Sequence, residues 1–370
     1  MIYFDNSASS PLTEEVKAVW LEAMEIFANP SSLHSLGFEA EKRLRAARNH
    51  VAASIGADPS EIYFTSGGTE ADNTAVFGAA KKLRREGNRI LTTDSEHPAV
   101  SECMKALEKE GFEIIYLSTK NGELNLEEVA EAANEKTVLA AVMHTNNETG
   151  AIYDIASLSR IVKGKNPRSL VFCDAVQGYM KSDVIPKRLG VDLLSLSSHK
   201  IHGPKGVGAL YMKKGLQLPP FLLGGGQEKG FRSGTENLPG ILAFGEAARQ
   251  GFEKRNENRE QMTAVRSRIM ELLEGEEKIS FHIPKNPSPH VLSMSVAGFR
   301  SEVLLHMLSE KGVFVSSGSA CSSKKGKSPV LESFGLSHKE SDSTVRLSFS
   351  HLNTVAEAEE FVRILKEVMN

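Results

Sequence analysis

The sequence predicts an α/β fold in which helices cover both faces of a largely parallel sheet, with a second, smaller α+β unit. Seven short β-rich runs, most of them separated by helix-patterned segments, occupy roughly the first 250 residues. These runs are nearly continuously apolar, as strands buried on both faces are. The chain has 370 residues, more than one ordinary core needs, which favours a large domain plus a smaller one.

Capping and periodicity predict the elements of the large unit in order. Thr13 is placed to cap a helix whose apolar positions are Val16, Val19, Trp20, Ala23, Met24 and Phe27. A second helix, FEAEKRLRAARNHVAASIG, ends at Gly56. The predicted strands are EIYFTS, RILTT, EIIYLS, TVLAAVMH, SLVFCDA, DLLSLSS and GVGALYM, with helices such as TEADNTAVFGAAKKLRR and NLEEVAEAAN between them. In such sheets, ligands bind at the carboxyl ends of the strands.

The smaller unit is predicted from about residue 250 onward. Its predicted elements are the long charged helix EAARQGFEKRNENREQMTAVRSRIMELLEG, the run HVLSMSVAGF, a helix near 302–312, the runs FVSSGSAC and TVRLSFS, and a final helix ending at Asn370.

Composition excludes several classes of protein. A formal net charge of -3 with interspersed signs indicates no nucleic-acid-binding face, and no window has the apolar run of a membrane span. The amino-terminal MIYFDNSASS lacks the pattern of a secretory signal, so a cytoplasmic location is expected. Cys103, Cys173 and Cys321 form an odd set without paired spacing, which argues against a disulfide framework and against a metal site.

The turn FTSGGTEADN is the first candidate site. It ends a strand at Ser66, passes through Gly67 and Gly68 and opens a helix at Thr69. Such a turn directs backbone N–H groups at the positive end of a helix and suits a phosphate. A glycine-rich connection that binds nothing fits the same residues equally well.

Two further strand ends carry Asp174 and Lys200. Asp174 is placed either to cap a helix or to hold a protonated ring nitrogen. Lys200 follows an apolar strand, where an ammonium is costly, and a desolvated lysine forms a Schiff base with an aldehyde readily. A phosphate turn, an acid for a ring nitrogen and an amine for an aldehyde together match pyridoxal 5'-phosphate.

Other polar residues follow the same strand ends. His97 is placed to stack on a cofactor ring and to move protons. Asn147 is a candidate donor to the phenolate oxygen of the ring. His144 and Glu148 are interpreted as structural. Further candidate partners of ring and phosphate oxygens are Gln177, Ser197 and His199.

The three cysteines have different contexts. Cys103 and Cys173 lie in apolar patterns and are interpreted as packing thiols. Cys321 lies in SSGSACSSKKGKSP, a Gly/Ser/Lys-rich stretch that predicts an exposed, mobile loop. Nearby lysines favour its thiolate, which would make it a nucleophile.

The ordered set of motifs resembles the cysteine desulfurases, an aminotransferase-like family, and in particular the branch with the SSGSAC loop. The matching motifs are YFDNSASSP, NPSSLH, FTSGGTEADN, EHPAV, NNETG, DAVQ, SSHKIHGPKG, GGGQEKGFRSGTEN, SSGSACSS and VRLSF. They run nearly from end to end of the chain.

This resemblance implies the fold and the site. The fold is the type I fold of pyridoxal-phosphate-dependent transferases: a large domain over residues 13–250 with a seven-stranded sheet, and a small domain formed by residues 1–12 and 251–370, which carries the cysteine loop near 316–330. Lys200 holds the cofactor, Asp174 its ring nitrogen, and Arg346 the substrate carboxylate. The other implied contacts to cofactor or substrate come from Gly68, Thr69, Asn147, Gln177, Ser197, Ser198 and His199.

The resemblance also implies partners and a reaction. In a homodimer, Thr235 reaches the phosphate of the partner's cofactor. L-cysteine gives L-alanine and a persulfide on Cys321, with His97 or the freed Lys200 moving protons. The persulfide then passes to an acceptor protein for iron–sulfur cluster assembly or tRNA thiolation. A selenocysteine lyase or small aminotransferase of the same fold, and a sulfur-relay protein without enzymatic activity, remain alternatives.

Three positions depart from the usual pattern of the family. Asn6-Ser7 replaces a frequent His-Ala, and Ser350 stands where glycine often occurs; neither alters the expected chemistry. The third departure is the segment KKGK after Cys321, which affects the kind of acceptor protein that is expected. It fits either an acidic partner surface or a merely solvated charge run.

Overall fold

A seven-stranded sheet forms the centre of the protein. The structure is a computed structural model that describes residues 1–317 and 328–370. The described strands are β1 (Ile2–Tyr3), β2 (Ile62–Thr65), β3 (Arg89–Thr93), β4 (Glu113–Leu117), β5 (Thr137–Met143), β6 (Leu170–Asp174), β7 (Leu193–Ser197), β8 (Gly208–Met212), β9 (Ile279–His282), β10 (Val291–Val296), β11 (Val313–Phe314), β12 (Ser316–Ser317) and β13 (Thr344–Ser348).

The helices cover the sheets and join their strands. They are α1 (Glu14–Met24), α2 (Ser35–Ser54), α3 (Gly68–Leu83), α4 (Pro98–Lys109), α5 (Leu126–Ala132), α6 (Ile155–Lys165), α7 (Pro186–Leu189), α8 (Leu238–Glu253), α9 (Arg255–Leu272), α10 (Ser301–Glu310), α11 (Pro329–Phe334), α12 (His338–Asp342) and α13 (Val355–Met369). None of the helices in the described ranges is both long and apolar enough to cross a membrane.

The order of strands in the large sheet is β2-β8-β7-β6-β5-β3-β4. Strand β8 is antiparallel to both of its neighbours, and the other pairs are parallel. All seven strands predicted from the sequence are present, so the predicted α/β class with a mostly parallel sheet is confirmed. The register pairs Met143 with Asp174, and Asp174 with Ser195, so the carboxyl ends of β5 and β6 lie level beside β7.

The central strands of this sheet are buried on both faces. Every residue of β5 is buried, and its side chains alternate between two apolar clusters: Ala140 and Val142 face one, and Leu139 and Ala141 face the other. This alternation is the two-residue period of a strand with a core on each side. It explains why the strands read as continuous apolar runs.

A separate apolar cluster forms around a four-stranded antiparallel sheet in the order β12-β13-β10-β9. The amino terminus joins this cluster, because β1 pairs with β11 and the Phe4 ring packs edge-on against Phe349 at 5.1 Å. Residues 2–4 thus share a core with residues 262–369. The division of the chain at residues 12 and 250 stays a prediction.

Helix α1 begins as predicted, because Thr13 accepts a hydrogen bond from the Val16 N–H, but the helix ends at Met24. Phe27 therefore lies beyond it and is exposed. The single long helix predicted from residue 246 is two helices, since Lys254 leaves helical geometry (φ -103°, ψ 15°) between α8 and α9. Strands β1 and β9 were absent from the prediction, because two and four residues carry too little periodicity to detect.

Candidate active site

A cavity of about 380 Å³ opens at the carboxyl ends of the central strands. The amino-terminal segment and the strands β12 and β13 close its other side. The topology therefore gathers residues that are far apart in the sequence. The predicted residues that line this cavity are Gly68, Thr69, His97, Asn147, Asp174, Gln177, Ser197, His199, Lys200 and Arg346.

The Gly67–Gly68 turn joins β2 to the start of α3. Gly67 has φ 154°, which favours glycine, and as N-cap residue it offers no side-chain hydrogen bond to the helix. A Cβ at Gly68 would lie 2.8 Å from Cγ2 of Val176 in the cavity wall. The first N–H groups of α3 thus lack a side-chain cap and lie beside the cavity, which suits a bound anion.

Asp174, which is buried, and His97, which is half-buried, both line this cavity. Asp174 ends β6, and one of its carboxylate oxygens accepts a hydrogen bond from the Val176 N–H at 2.9 Å. Burial raises the pKa of Asp174, whereas the charges of His97 and Lys200 favour its ionised form. His97 caps α4 by accepting from the Ala99 N–H through Nδ1, so Nε2 is the ring nitrogen left to carry a proton. Burial lowers the pKa of His97.

Lys200 lies in the short turn that follows β7 and is half-buried. Its Nζ donates to two backbone oxygens of the amino-terminal segment, Ser7 O at 2.6 Å and Ala8 O at 2.9 Å. The amine is therefore held at the cavity wall by carbonyl groups.

Gln177 and His199 contact the same amino-terminal segment. The Gln177 amide donates to Ser7 O at 3.0 Å, and its Oε1 is enclosed without a hydrogen-bond partner in the part of the chain that the structure describes. His199 Nδ1 lies 3.3 Å from Ser9 Oγ. Burial and the neighbouring Lys200 charge lower the pKa of His199 to about 4, so its ring is neutral at pH 7 and offers one hydrogen-bond donor and one acceptor.

Arg346 enters the cavity from β13 and is almost fully buried. Its Nη2 donates to Asp5 Oδ1 at 2.8 Å and its Nη1 to Asn147 O at 2.9 Å. These two bonds orient the guanidinium, whose planar group of donors matches a carboxylate.

Cys321 lies outside the described residues, but both flanks of its segment are defined. On the amino-terminal side, Ser316 and Ser317 line the cavity, and Ser316 is the register partner of Arg346. On the carboxyl-terminal side, Ser328 Oγ donates to Glu148 Oε2 at 2.6 Å. Glu148 also lines the cavity.

Two predicted cofactor residues do not line this cavity. Ser198 is fully buried in the turn before Lys200, and Thr235 is exposed in the connection to α8. Cys103 and Cys173 are both buried, as predicted for packing thiols. Burial raises the pKa of Cys103 to about 12, which makes its thiol unreactive.

The sequence interpretation missed several residues of the cavity wall. Asp5, Ser7 and Ala8 lie there because the amino-terminal segment crosses the cavity. Asp72 lies on α3, one turn beyond the glycines, and is fully buried. Glu148, which was interpreted as structural, lines the cavity too. Only the motif YFDNSASSP could have signalled the role of the amino-terminal segment.

Comparisons with known proteins agree on one family. The family model for aminotransferase class-V matches residues 2–361. The cysteine desulfurase IscS of Clostridium botulinum is 38% identical over 375 residues, covering 100% of this chain and 94% of the relative. A solved structure described as a NifS-like protein superposes with a TM-score of 0.94 at 35% identity, covering 99% of this chain and 98% of its own. Another, described as SspA in complex with cysteine, has a TM-score of 0.83 at 31% identity and covers 94% of this chain and 99% of its own.

Proposed function

The chain belongs to the aminotransferase class-V family and is a cysteine desulfurase, and from that premise we propose that it converts L-cysteine to L-alanine with Cys321 as the first sulfur acceptor. The observation that carries this proposal is the cavity. It brings together Gly68, Asp174 and Lys200 with Arg346, and both flanks of the Cys321 segment contact residues that line it.

The cavity residues fit pyridoxal 5'-phosphate. The uncapped start of α3 suits its phosphate, and Asp174 suits its ring nitrogen. Oε1 of Gln177 is an enclosed polar atom without a hydrogen-bond partner among residues 1–317 and 328–370. Lys200 would hold its aldehyde. When bound, this cofactor supplies an electron sink that weakens bonds at the substrate's α- and β-carbons.

The chain's own residues would bind the substrate and move protons. Arg346 would hold the carboxylate of L-cysteine, oriented by Asp5 and Asn147. His97, with its Nδ1 occupied by the helix cap, would exchange protons through Nε2. Thr69, Ser197 and His199 would bind the phosphate, and Asn147 and Gln177 the phenolate oxygen.

Cys321 is four residues from Ser317 in the chain, so its Cα can lie at most about 14 Å from that of Ser317. The cavity is therefore within reach of its thiol. In the proposed transfer, the C–S bond of L-cysteine breaks and an S–S bond forms on Cys321, while the thiol proton of Cys321 ends on the β-carbon. The products are L-alanine and a persulfide.

The proposed function includes a homodimer and an acceptor for the persulfide sulfur. We infer a homodimer in which Thr235 serves the partner's cavity, since Thr235 does not line its own. In support of a partner surface, several large apolar side chains within residues 21–38 are more than half exposed: Leu21, Met24, Phe27, Leu33, Leu36 and Phe38. The persulfide would pass, in the cytoplasm, to an acceptor for iron–sulfur assembly or tRNA thiolation.

The test is to incubate the cofactor-loaded protein with L-cysteine and to examine its peptides by mass spectrometry. One added sulfur on the Cys321 peptide and stoichiometric L-alanine are expected, with Cys103→Ala as the control that keeps both. Borohydride treatment before substrate should attach the cofactor to Lys200. Sustained turnover of free L-cysteine by Cys321→Ser would contradict the proposed acceptor and favour another pyridoxal lyase.

A further inference from the structure

Glu148 is a half-buried carboxyl group to which the proposed chemistry assigns no role. It follows Asn147 in the turn after β5 and lines the same cavity as Arg346. Its Oε2 accepts a hydrogen bond from Ser328 Oγ at 2.6 Å. Burial raises the pKa of Glu148 to about 7, although the Ser328 hydrogen bond and the Arg346 charge favour its ionised form.

The guanidinium of Arg346 already has a counter-ion in the free protein. Asp5 Oδ1 lies 2.8 Å from Nη2, and Asn147 O accepts a hydrogen bond from Nη1. The Asp5 carboxylate therefore balances the positive charge of Arg346 before any substrate binds. Among the described residues, the other titratable groups that line this cavity are Asp72 on α3, His97 at the start of α4, Asp174 at the end of β6, and His199 and Lys200 after β7.

Binding of an amino acid adds a negative charge at this position. With Asp5, Glu148 and the substrate all ionised, three carboxylates would share one cavity with one arginine, whose charge acts on Glu148 as well as on Asp5. Like charges brought together in a low-dielectric site raise the pKa of one of them, so that it binds a proton. Glu148 is better suited to this than Asp5, because Asp5 makes the direct ion pair with Arg346.

Resting on the proposed function, we propose that Glu148 is a substrate-positioning residue that takes up one proton when the carboxylate of the amino-acid substrate binds Arg346. The protonated carboxyl group neither repels the substrate nor loses its contact with Ser328, since its oxygens still accept hydrogen bonds. Selection for a substrate that bears a carboxylate thus depends on Glu148 as well as on Arg346.

The proposal predicts how affinity depends on pH. At pH values below the pKa of Glu148, the carboxyl group of the free protein already carries this proton. At higher pH values the proton must be taken up from solvent when the ligand binds. Affinity for a carboxylate-bearing ligand therefore falls as pH rises through about 7, by up to about tenfold between pH 6 and pH 8. A ligand without a carboxylate does not require this proton.

The test compares L-alanine with ethylamine, its decarboxylated counterpart, on the cofactor-loaded protein. Dissociation constants are measured from the cofactor absorption at several pH values, and their ratio cancels the titration of the ligand amine and of Lys200. In the wild type, the ratio of the L-alanine constant to the ethylamine constant should rise about tenfold from pH 6 to pH 8. In Glu148→Gln, the ratio should not change with pH. The control variant Glu123→Gln, at an exposed position, should show the same rise as the wild type.

A second variant keeps the proposal testable if Glu148→Gln does not fold. Ser328→Ala removes the hydrogen bond that favours ionised Glu148. The rise in the ratio should therefore move to higher pH. A flat ratio in the wild type, or an unchanged slope in Glu148→Gln, overturns the proposal. Formation of L-alanine from L-cysteine, measured separately, tells whether the proposed function itself stands.

Discussion

Ser316 and Arg346 are register partners in the antiparallel pair β12–β13. The chain that continues towards Cys321 therefore leaves the small sheet beside the arginine that we assign to the substrate carboxylate. The other end of the segment, Ser328, is bonded to Glu148 in the same cavity wall. The proposed substrate site is thus connected to both flanks of the segment that carries the proposed sulfur acceptor, by one strand pair and one hydrogen bond.

Replacing Arg346 with alanine should raise the KM for L-cysteine by about 10- to 100-fold, because hydrogen bonds to charged groups contribute about 1.5–3 kcal/mol. Arg346→Lys should restore little of the loss, since an ammonium cannot replace both donated bonds. Steady-state kinetics measures both variants. Arg249→Ala, in an exposed ion-pair cluster, is the control. An unchanged KM in Arg346→Ala would remove the arginine from the substrate site.

Asp174→Asn should weaken retention of the cofactor about tenfold or more, because a neutral amide cannot balance a protonated ring nitrogen. The measurement is the absorbance of the cofactor that remains after dialysis, followed by titration with fresh cofactor. Asp154→Asn, at the cap of α6, should retain the cofactor as the wild type does. Equal retention in Asp174→Asn would show that this carboxylate does not serve the ring.

Mixing two inactive proteins tests whether Thr235 serves a partner's site. Lys200→Ala and Thr235→Ala should each be strongly impaired. In a mixed dimer one site carries both changes and the other carries neither, so random mixing should recover about a quarter of the wild-type activity per chain. The assay is L-alanine formation after the two proteins are unfolded and refolded together. Activity no greater than the sum of the separate proteins would place Thr235 outside the partner's site.

Glu228 is expected to matter for stability. Its carboxylate accepts two hydrogen bonds of 2.7 Å from Arg48 and a third from the Phe64 N–H, and its side chain is 3% exposed. Glu228→Ala leaves a poorly solvated guanidinium and should lower the free energy of unfolding by about 3–5 kcal/mol. The exposed pair Arg43–Glu39 gives the control, because Glu39→Ala should cost less than about 1 kcal/mol. Denaturant unfolding measures both, and similar losses would refute the expectation.

Glu96 should make stability depend on pH. Burial raises the pKa of Glu96 to about 8 from an ordinary value of 4.5. The folded chain therefore keeps a proton that the unfolded chain releases above pH 4.5, so this contribution to stability is lost as pH rises from about 5 to 8. Wild type should lose stability relative to Glu96→Gln over that range, by at most about 1.4 kcal/mol per pH unit. Thermal unfolding of both proteins across this pH range measures the slope, and a slope of the opposite sign would contradict the prediction.

Much of the fold follows from local pattern. The central strands were recognisable because both of their faces are buried, which makes each of them an apolar run, whereas β4 at the sheet edge is partly exposed. The long helix predicted across Lys254 was wrong because the charged residues on either side have good helix propensity, and nothing local marks the change of direction. Strands β1 and β12, of two residues each, form only because distant partners supply their hydrogen bonds.

The sequence by itself determined the α/β class, the strand ends that carry Lys200 and Asp174, and the family resemblance, because strand burial and short motifs are local properties of the chain. Only the tertiary structure decided that the amino-terminal segment crosses the cavity, that Asp5 pairs with Arg346 and that Glu148 bonds Ser328. These contacts join residues 341 and 180 positions apart. No local periodicity encodes such pairings, because they depend on how two separate cores come together.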